Sequence, residues 1–315
     1  MDPSVVPIDT KMIGRDLVTS AYLLRGDEPA LLETGPSTSE RAVTDGLAAL
    51  GIGPADLAHV VVTHIHLDHA GGVGTLAGRY PRAAIWVHER GAPHLVDPTR
   101  LVASTARTYG EKVARSYFGA VEPAPPERIR TVADGDVIPL GRRSLEVVYT
   151  PGHASHHVAL IDSESGGVFV GDAIGVHLPD VRVLRPATPP PEFDVEVAVA
   201  SIERIRERAR SVLFLSHYGE VPEVDAMCDL SIVRIRGWAD EVGSALRSSE
   251  EADPEEIVRL LEKRGTAEAL EDAGPGADMD RYDMLSSYRV NAAGLIRYWR
   301  KRWEREALDA DGSAT

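Results

Sequence analysis

The sequence predicts an α/β protein with an all-helical carboxy-terminal region. Short apolar, β-branched runs alternate with segments of helical period up to about residue 222. Polar groups suited to chemistry stand at the ends of several of these runs, as a site built on a rigid sheet requires. Beyond that point only helical patterns remain. With 315 residues and 43% apolar content, the chain can bury a sizeable core, as one large domain or as a core with a smaller unit appended.

Residues 17–24 and 29–33 read as strands around the turn Gly26-Asp27-Glu28. Gly35-Pro36-Ser37 opens a helix with Val43, Leu47 and Leu50 on one face. Residues 58–62 form a buried strand, 72–80 a short helix and 83–87 another strand. Residues 101–118 have helical character and can pack over a site. After the proline-rich connector 121–128, strands are expected at 129–132, 144–150, 157–161 and 168–170. Residues 178–193 are proline-rich and irregular, a loop at the mouth. Residues 194–210 form an amphipathic helix with Val195, Val199, Ile202, Ile205 and Ala209 on its apolar face, followed by a strand at 212–215. The tail reads as helices at 223–246, 254–264 and 281–306, with a polar, acidic, flexible stretch at 265–280. Leu285, Tyr288, Ala292, Leu295 and Trp299 form a stripe needing a partner surface, either the core or a second copy in a homodimer. Arg289, Arg297, Arg300, Lys301 and Arg302 read as a solvated face.

The strand at 58–62 delivers Thr63-His64-Ile65-His66-Leu67-Asp68-His69-Ala70-Gly71-Gly72. Imidazole nitrogen and carboxylate oxygen suit zinc and its first-row neighbours. From an extended loop His64 and His66 can converge on one cation while Asp68 and His69 point elsewhere, so this motif can feed two metals. The alternative is a histidine-rich surface loop. Further polar groups end later strands: Thr150-Pro151-Gly152-His153, Gly171-Asp172 and Ser216-His217.

A net charge of −15 argues against nucleic-acid backbones and anionic membranes as partners, although a local basic patch can still recruit an anion. No run approaches the roughly 20 apolar residues of a membrane span. Residues 1–14 lack an export signature, and Cys228 is the only cysteine, which fits a reducing cytoplasm. Cys228 is expected to be a spectator.

Taken in order, THIHLDH, His153, Asp172 and His217 resemble the metallo-β-lactamase superfamily over roughly residues 17–218. The resemblance implies an αββα sandwich with a two-metal site along one edge, occupying residues 1–222. The helical region 223–315 would then pack on the core and help shape the substrate pocket, as in glyoxalase II-like hydrolases. It implies that His64, His66 and His153 hold one divalent ion, that Asp68, His69 and His217 hold a second, and that Asp172 bridges them. Zinc is favoured, with iron or manganese as alternatives. Asp68 and His217 carry catalytic as well as ligand roles, Asp68 by orienting the nucleophile. A bridging hydroxide would attack a thioester, ester or lactone carbonyl of a small, anionic substrate. Two dications less two carboxylates and one hydroxide leave a single positive charge, suited to an anionic transition state.

Two positions depart from the family pattern. Glu33 stands where Asp is usual, and Ser216 where glyoxalase II and lactonase relatives carry Gly. His156 and His157 are expected to face opposite sides of an emerging strand, so that at most one approaches the site. His177 and Tyr218 are candidates for substrate contact, His59 is structural, and His88 and His94 are not ligands. Two other functions stand beside hydrolysis. One is a mononuclear iron persulfide dioxygenase using His64, His153 and Asp172; the other is a noncatalytic binding protein on the same fold.

Overall fold

The computed structural model describes residues 3–248 and 253–312. Met1 and Asp2 of the amino-terminal stretch, and residues 249–252 and 313–315 of the helical region, lie outside the described residues. The first sheet is built from β1 (Val5–Asp9), β2 (Ser20–Leu24) and β3 (Ala30–Leu32). After α1 (Glu40–Ala49) come β4 (His59–Val61), α2 (Leu67–Ala70), α3 (Val73–Arg79) and β5 (Ala84–His88). An insert of three helices, α4 (Ala92–Val96), α5 (Thr99–Tyr109) and α6 (Glu111–Phe118), precedes β6 (Ile129–Val132). Strand order follows the chain from β1 to β6, antiparallel to β3 and parallel from there on.

The second sheet comprises β7 (Val137–Leu140), β8 (Arg143–Tyr149), β9 (Val158–Asp162) and β10 (Val168–Phe169). A small hairpin, β11 (Val176–His177) with β12 (Leu184–Arg185), and α7 (Val195–Arg208) lead to β13 (Leu213–Phe214) and β14 (Glu220–Val221). Its order is β14-β13-β10-β9-β8-β7. The tail is α8 (Val224–Ser248), α9 (Pro254–Ala273), α10 (Asp280–Leu285) and α11 (Tyr288–Gly312). Among the described residues no helix is long and apolar enough to cross a membrane.

Strand alternation sorts the side chains into layers. On β2 and β3, Leu23 and Leu31 face α1 and α3, joining Val43, Leu47 and Leu76 in one core. Tyr22, Leu24 and Leu32 face the other way, toward Leu145, Val147, Leu160, Phe169 and Phe214 between the sheets. The outer face of the second sheet packs on α7 and the tail through Val148, Ile202, Trp238 and Leu295. The result is the αββα sandwich.

Five strands escape the sequence reading: the two-residue β11, β12 and β14, of which β12 interrupts the stretch 178–193 expected to be irregular, and the longer β1 and β7. β1 and β7 are edge strands and each contains a proline, Pro7 and Pro139, which reads as a break yet is tolerated where the lost donor faces no neighbour. The flexible stretch expected from residue 265 is corrected. Helix α9 continues through Gly265 to Ala273, because Gly265 lies under the ring of Tyr288, with room for no side chain: a Cβ there would sit 2.4 Å from Tyr288 Oη. The tail stripe finds its partner within the chain. Ala292 and Leu295 are buried, and Trp299 Nε1 donates to the Ala239 carbonyl at 2.7 Å.

At the far end of β9 from the motif, Arg143 and Asp162 form a buried bidentate pair, with both N–O distances 2.6 Å. Arg143 also donates to the carbonyls of Ser4 and Arg25, tying the second sheet to the first. Burial alone would raise the Asp162 carboxyl, but hydrogen bonds from Arg143 and Ser165 outweigh it and hold it below the usual range. Asp162→Ala is expected to cost about 3–5 kcal/mol in denaturant unfolding, because Arg143 is left charged and unpaired. In the wild type this contribution is complete above about pH 4 and is lost as pH falls through the lower folded-state value. A cost below about 1 kcal/mol would show that the pair is not a structural tie.

Candidate metal centre

The histidine motif leaves the end of β4 as an extended loop and turns into α2. It meets three other strand ends, which bring His153, Asp172 and His217. Two groups of donors result: His64, His66, His153 and Asp172, and beside them Asp68, His69 and His217. Within each group the donor atoms lie within 4.8 Å of one another. In the first, His66 Nδ1 is 3.1 Å from His64 Nε2 and 2.9 Å from His153 Nε2. A tetrahedral ion with bonds of about 2.0–2.1 Å has donors roughly 3.3 Å apart, so the spacing is that of a coordination shell. Asp172 reaches both groups. Its Oδ2 is 3.4 Å from His153 Nε2 and 3.9 Å from His64 Nε2, while Oδ1 is 3.1 Å from His217 Nε2 and 3.2 Å from His69 Nε2.

The far nitrogens of these rings are fixed by acceptors, which selects the tautomer. His153 Nδ1 donates to the Ala187 carbonyl at 3.0 Å, and His217 Nδ1 to the Val18 carbonyl at 3.3 Å. The Thr63 hydroxyl donates to Glu33 Oε1 at 2.5 Å and is therefore left to accept from His64 Nδ1 at 3.0 Å. His69 Nδ1 faces Glu33 Oε1 at 3.6 Å. In each case Nε2 is the nitrogen that points inward. His69 Nε2 and Asp172 Oδ1 are buried and make no hydrogen bond within the protein. Buried polar atoms are rarely left so, and cations satisfy them.

Burial holds His64 and His66 well below the ordinary imidazole range, and neighbouring imidazoles add to the effect. Burial opposes charge on His69 and His217 as well, but Asp172 outweighs it and holds both above that range. Those two rings in turn overcome the burial of Asp172 and keep its carboxyl well below the usual range. The donors are thus neutral imidazoles and an ionised carboxylate, or become so when a cation replaces a proton.

Two glycines are dictated by the site. Gly152, before His153, has φ +122° and passes so close to α7 that a Cβ would lie 2.4 Å from the Ala198 backbone. Gly171, before Asp172, has φ +50°, and a Cβ would meet His157 Nε2 at 2.5 Å.

Glu33 sits at φ +60°, unusual for a side chain of its size. Its Oε1 accepts from Thr63 and, at 3.1 Å, from the Ser216 hydroxyl. The two departures from the family pattern are therefore one contact. His156 and His157 correct the expectation that at most one approaches the site. His157 is fully buried and its Nε2 accepts the Asp172 backbone N–H at 3.1 Å, while His156 Nδ1 accepts that of Ile65 and its ring lines the cavity. Both precede β9, which starts at Val158, so strand alternation does not govern them.

The donors open into a cavity of about 320 Å³. Its walls come from the α4–α6 insert, the 187–192 loop and the α10–α11 elbow, including Tyr109, Thr188, Leu285 and Asn291. His177 and Tyr218 do not line it. His94 does, without belonging to either donor group, and His88 stacks on Tyr149 with ring centroids 4.7 Å apart. His59 is held by Glu28 and Trp86, as a structural histidine is. Cys228 is buried, which pushes its thiol up to about 11.

An αββα sandwich with adjoining histidine and carboxylate clusters on one edge is the architecture of the metallo-hydrolases. The sequence profile described as metallo-beta-lactamase superfamily matches residues 14–217, and the chain belongs to that superfamily. It is 31% identical over 153 residues to a hydroxyacylglutathione hydrolase of Synechococcus sp. (strain JA-3-3Ab), covering 49% of this chain and 48% of that one. It is 30% identical over 166 residues to an acyl-coenzyme A thioesterase of Gallus gallus, covering 49% and 56%. The chain thus spans about half the length of the curated relatives it matches. Its fold is similar to that of a metallo-beta-lactamase family protein from Thermus thermophilus, with a TM-score of 0.68 at 20% identity over 95% of this chain and 94% of that one.

Neutralising the acceptor behind His69 tests the outer contacts. Glu33→Gln is expected to lower metal affinity of the Asp68–His69–His217 group by about 10–100-fold and that of the His64 group less, because Glu33 reaches His64 only through Thr63. Chelator competition distinguishes the two; equal loss from both groups, or none, contradicts the assignment.

Proposed function

We propose that the chain is a binuclear metal-dependent hydrolase of a small acyl substrate, a thioester before an ester or a lactone. The observation that carries this is the division of one carboxylate, with Asp172 Oδ2 toward His64 and His153 and Oδ1 toward His69 and His217. His64, His66 and His153 would hold one ion, Asp68, His69 and His217 the other, and Asp172 both. The nitrogen and oxygen donors suit zinc, and iron or manganese accept the same set. Divalent ions there supply a water acidified to near neutrality and a Lewis acid for the carbonyl oxygen. The activities by which the two relatives are named, one on hydroxyacylglutathione and one on acyl-coenzyme A, support the thioester.

The chain's own groups position and shield the reaction. Asp68, with 17% of its side chain exposed, lines the cavity and would accept the proton of the attacking water and pass it to the leaving thiolate. His217, tethered at Nδ1, lies 3.7 Å from Asp68 Oδ2 and keeps that carboxylate in register. Ile65, Leu101, Phe118, Leu285 and Val290 supply an apolar lining for the acyl group and exclude water. The tail, residues 223–315, thereby completes the pocket of the 1–222 catalytic unit. A small-molecule substrate and a cytoplasmic setting, with neither nucleic acid nor membrane as partner, fit the charge of −15. The one-iron reading leaves Asp68, His69 and His217 without a role, and a noncatalytic protein has no use for seven donors.

Metal analysis of purified protein is expected to find close to two ions per chain, with thioester hydrolysis lost on chelation and restored by zinc. One iron per chain with oxygen-dependent sulfur turnover would overturn the proposal. His66→Ala is expected to reduce kcat/KM by more than about 100-fold, since even outer contacts of metal ligands cost about 10–100-fold. Asp172→Ala should be at least as damaging; full activity and metal content in both variants would refute the residue roles.

A further inference from the structure

The wall of the cavity contributed by the insert and the end of β5 carries positive charge alone. Arg90 follows β5, and Arg100 and Arg107 are seven residues apart on α5. Seven residues are two helical turns, so both arginines share a face with Ser104 and Thr108, and all of these line the cavity with His94. Acidic residues outnumber basic ones by 49 to 34 in this chain, yet the lining drawn from residues 90–118 holds these three exposed arginines and no carboxylate. Among the described residues, Arg90, Arg100 and Arg107 make no ion pair. Asp97 feels the charge of Arg100, but its Oδ1 is occupied by the Thr99 N–H and hydroxyl. Arg90 lies over the Tyr149 ring, 5.9 Å from its centroid.

The opposite sign is fixed elsewhere on the lining. Glu192, on the 187–192 loop, accepts from the Ser155 N–H at 2.8 Å and hydroxyl at 3.0 Å. The remaining charged side chains on the lining are Asp68 and Asp172 of the metal centre. An anion entering the cavity is therefore repelled from the loop and drawn to the insert.

We propose that Arg90, Arg100 and Arg107, with His94, form a subsite for an oxyanionic group of the substrate, a phosphate or a carboxylate carried by the thiol portion of a thioester. The subsite rests on the hydrolase reading for its role in turnover, but not for its existence. Guanidinium forks match phosphate and carboxylate oxygens, and a charge-assisted contact of this kind changes affinity by about ten- to a hundredfold.

The test uses metal-loaded full-length protein and the variant Arg100→Ala/Arg107→Ala, whose changes lie at exposed positions. Calorimetry with S-methyl-coenzyme A and S-methylglutathione, thioethers that cannot be hydrolysed, reads the subsite without turnover. Binding of one or both by the wild type, at least about tenfold weaker in the variant and weakened by salt, supports it; selective binding of the first identifies phosphate and of the second carboxylate. In parallel, kcat/KM for the matching acyl thioester should fall through KM, whereas an acyl-N-acetylcysteamine thioester, which has no anion, should be unaffected. Binding without hydrolysis of any thioester would sink the hydrolase reading and leave the subsite standing. Failure of both thioethers to bind, or equal losses on charged and neutral substrates, would overturn the subsite.

Discussion

Burying Asp172 between His69 and His217 sets the terms for its surroundings. A carboxylate that is only 7% exposed stays ionised if positive charge or donors surround it, and both of its oxygens face imidazole nitrogens within 4 Å. Those imidazoles must then be held with one nitrogen inward, so each calls for an acceptor behind it. Val18, Ala187, Thr63 and Glu33 fill that need, and they come from four separate stretches of chain. The loops around the site are ordered by the polar groups they must satisfy as much as by apolar packing.

Those demands are met because the two sheets are locked to each other. Near the site the Val158 N–H donates to the Thr63 carbonyl at 2.8 Å, joining the start of the histidine-motif loop to the end of the loop that carries His153. Tyr22 of β2 crosses the interlayer core to Phe169 and Phe214, and its hydroxyl both donates to the Leu215 carbonyl and accepts the Gly219 N–H. The turn that presents His217 is therefore pinned from the other sheet. Arg143 closes the opposite end. Donors drawn from both sheets hold their spacing because neither sheet can slide.

Much of this was legible in the sequence, for identifiable reasons. The THIHLDH string and the three later strand ends were readable because metal chemistry restricts residue type and because strands ending in polar groups are conspicuous. The strands β1 and β7 were not, since Pro7 and Pro139 obscure an alternation that only an edge position permits. Gly265 looked like the end of a helix because its meaning lies in Tyr288, a residue distant in sequence. His157 was underrated for a similar cause: its partner is a backbone N–H at Asp172, and no side-chain pattern announces such a bond. The arginines at the insert were visible as residues but not as a set, because what groups them is the cavity wall they share, which exists only once the insert has folded over the site.

The contact between Glu33 and Ser216 has a consequence for how this site can diverge. The common pairing at these positions, Asp with Gly, and the pairing here are each self-consistent, but the mixed states are not. A shorter acid opposite Ser216 would strand its hydroxyl, and a glycine opposite Glu33 would leave the acid with Thr63 as its one remaining hydroxyl donor and a void beside it. Changing Glu33 or Ser216 alone therefore strands a buried polar group, and the two side chains act as one energetic unit whose separate substitutions do not add.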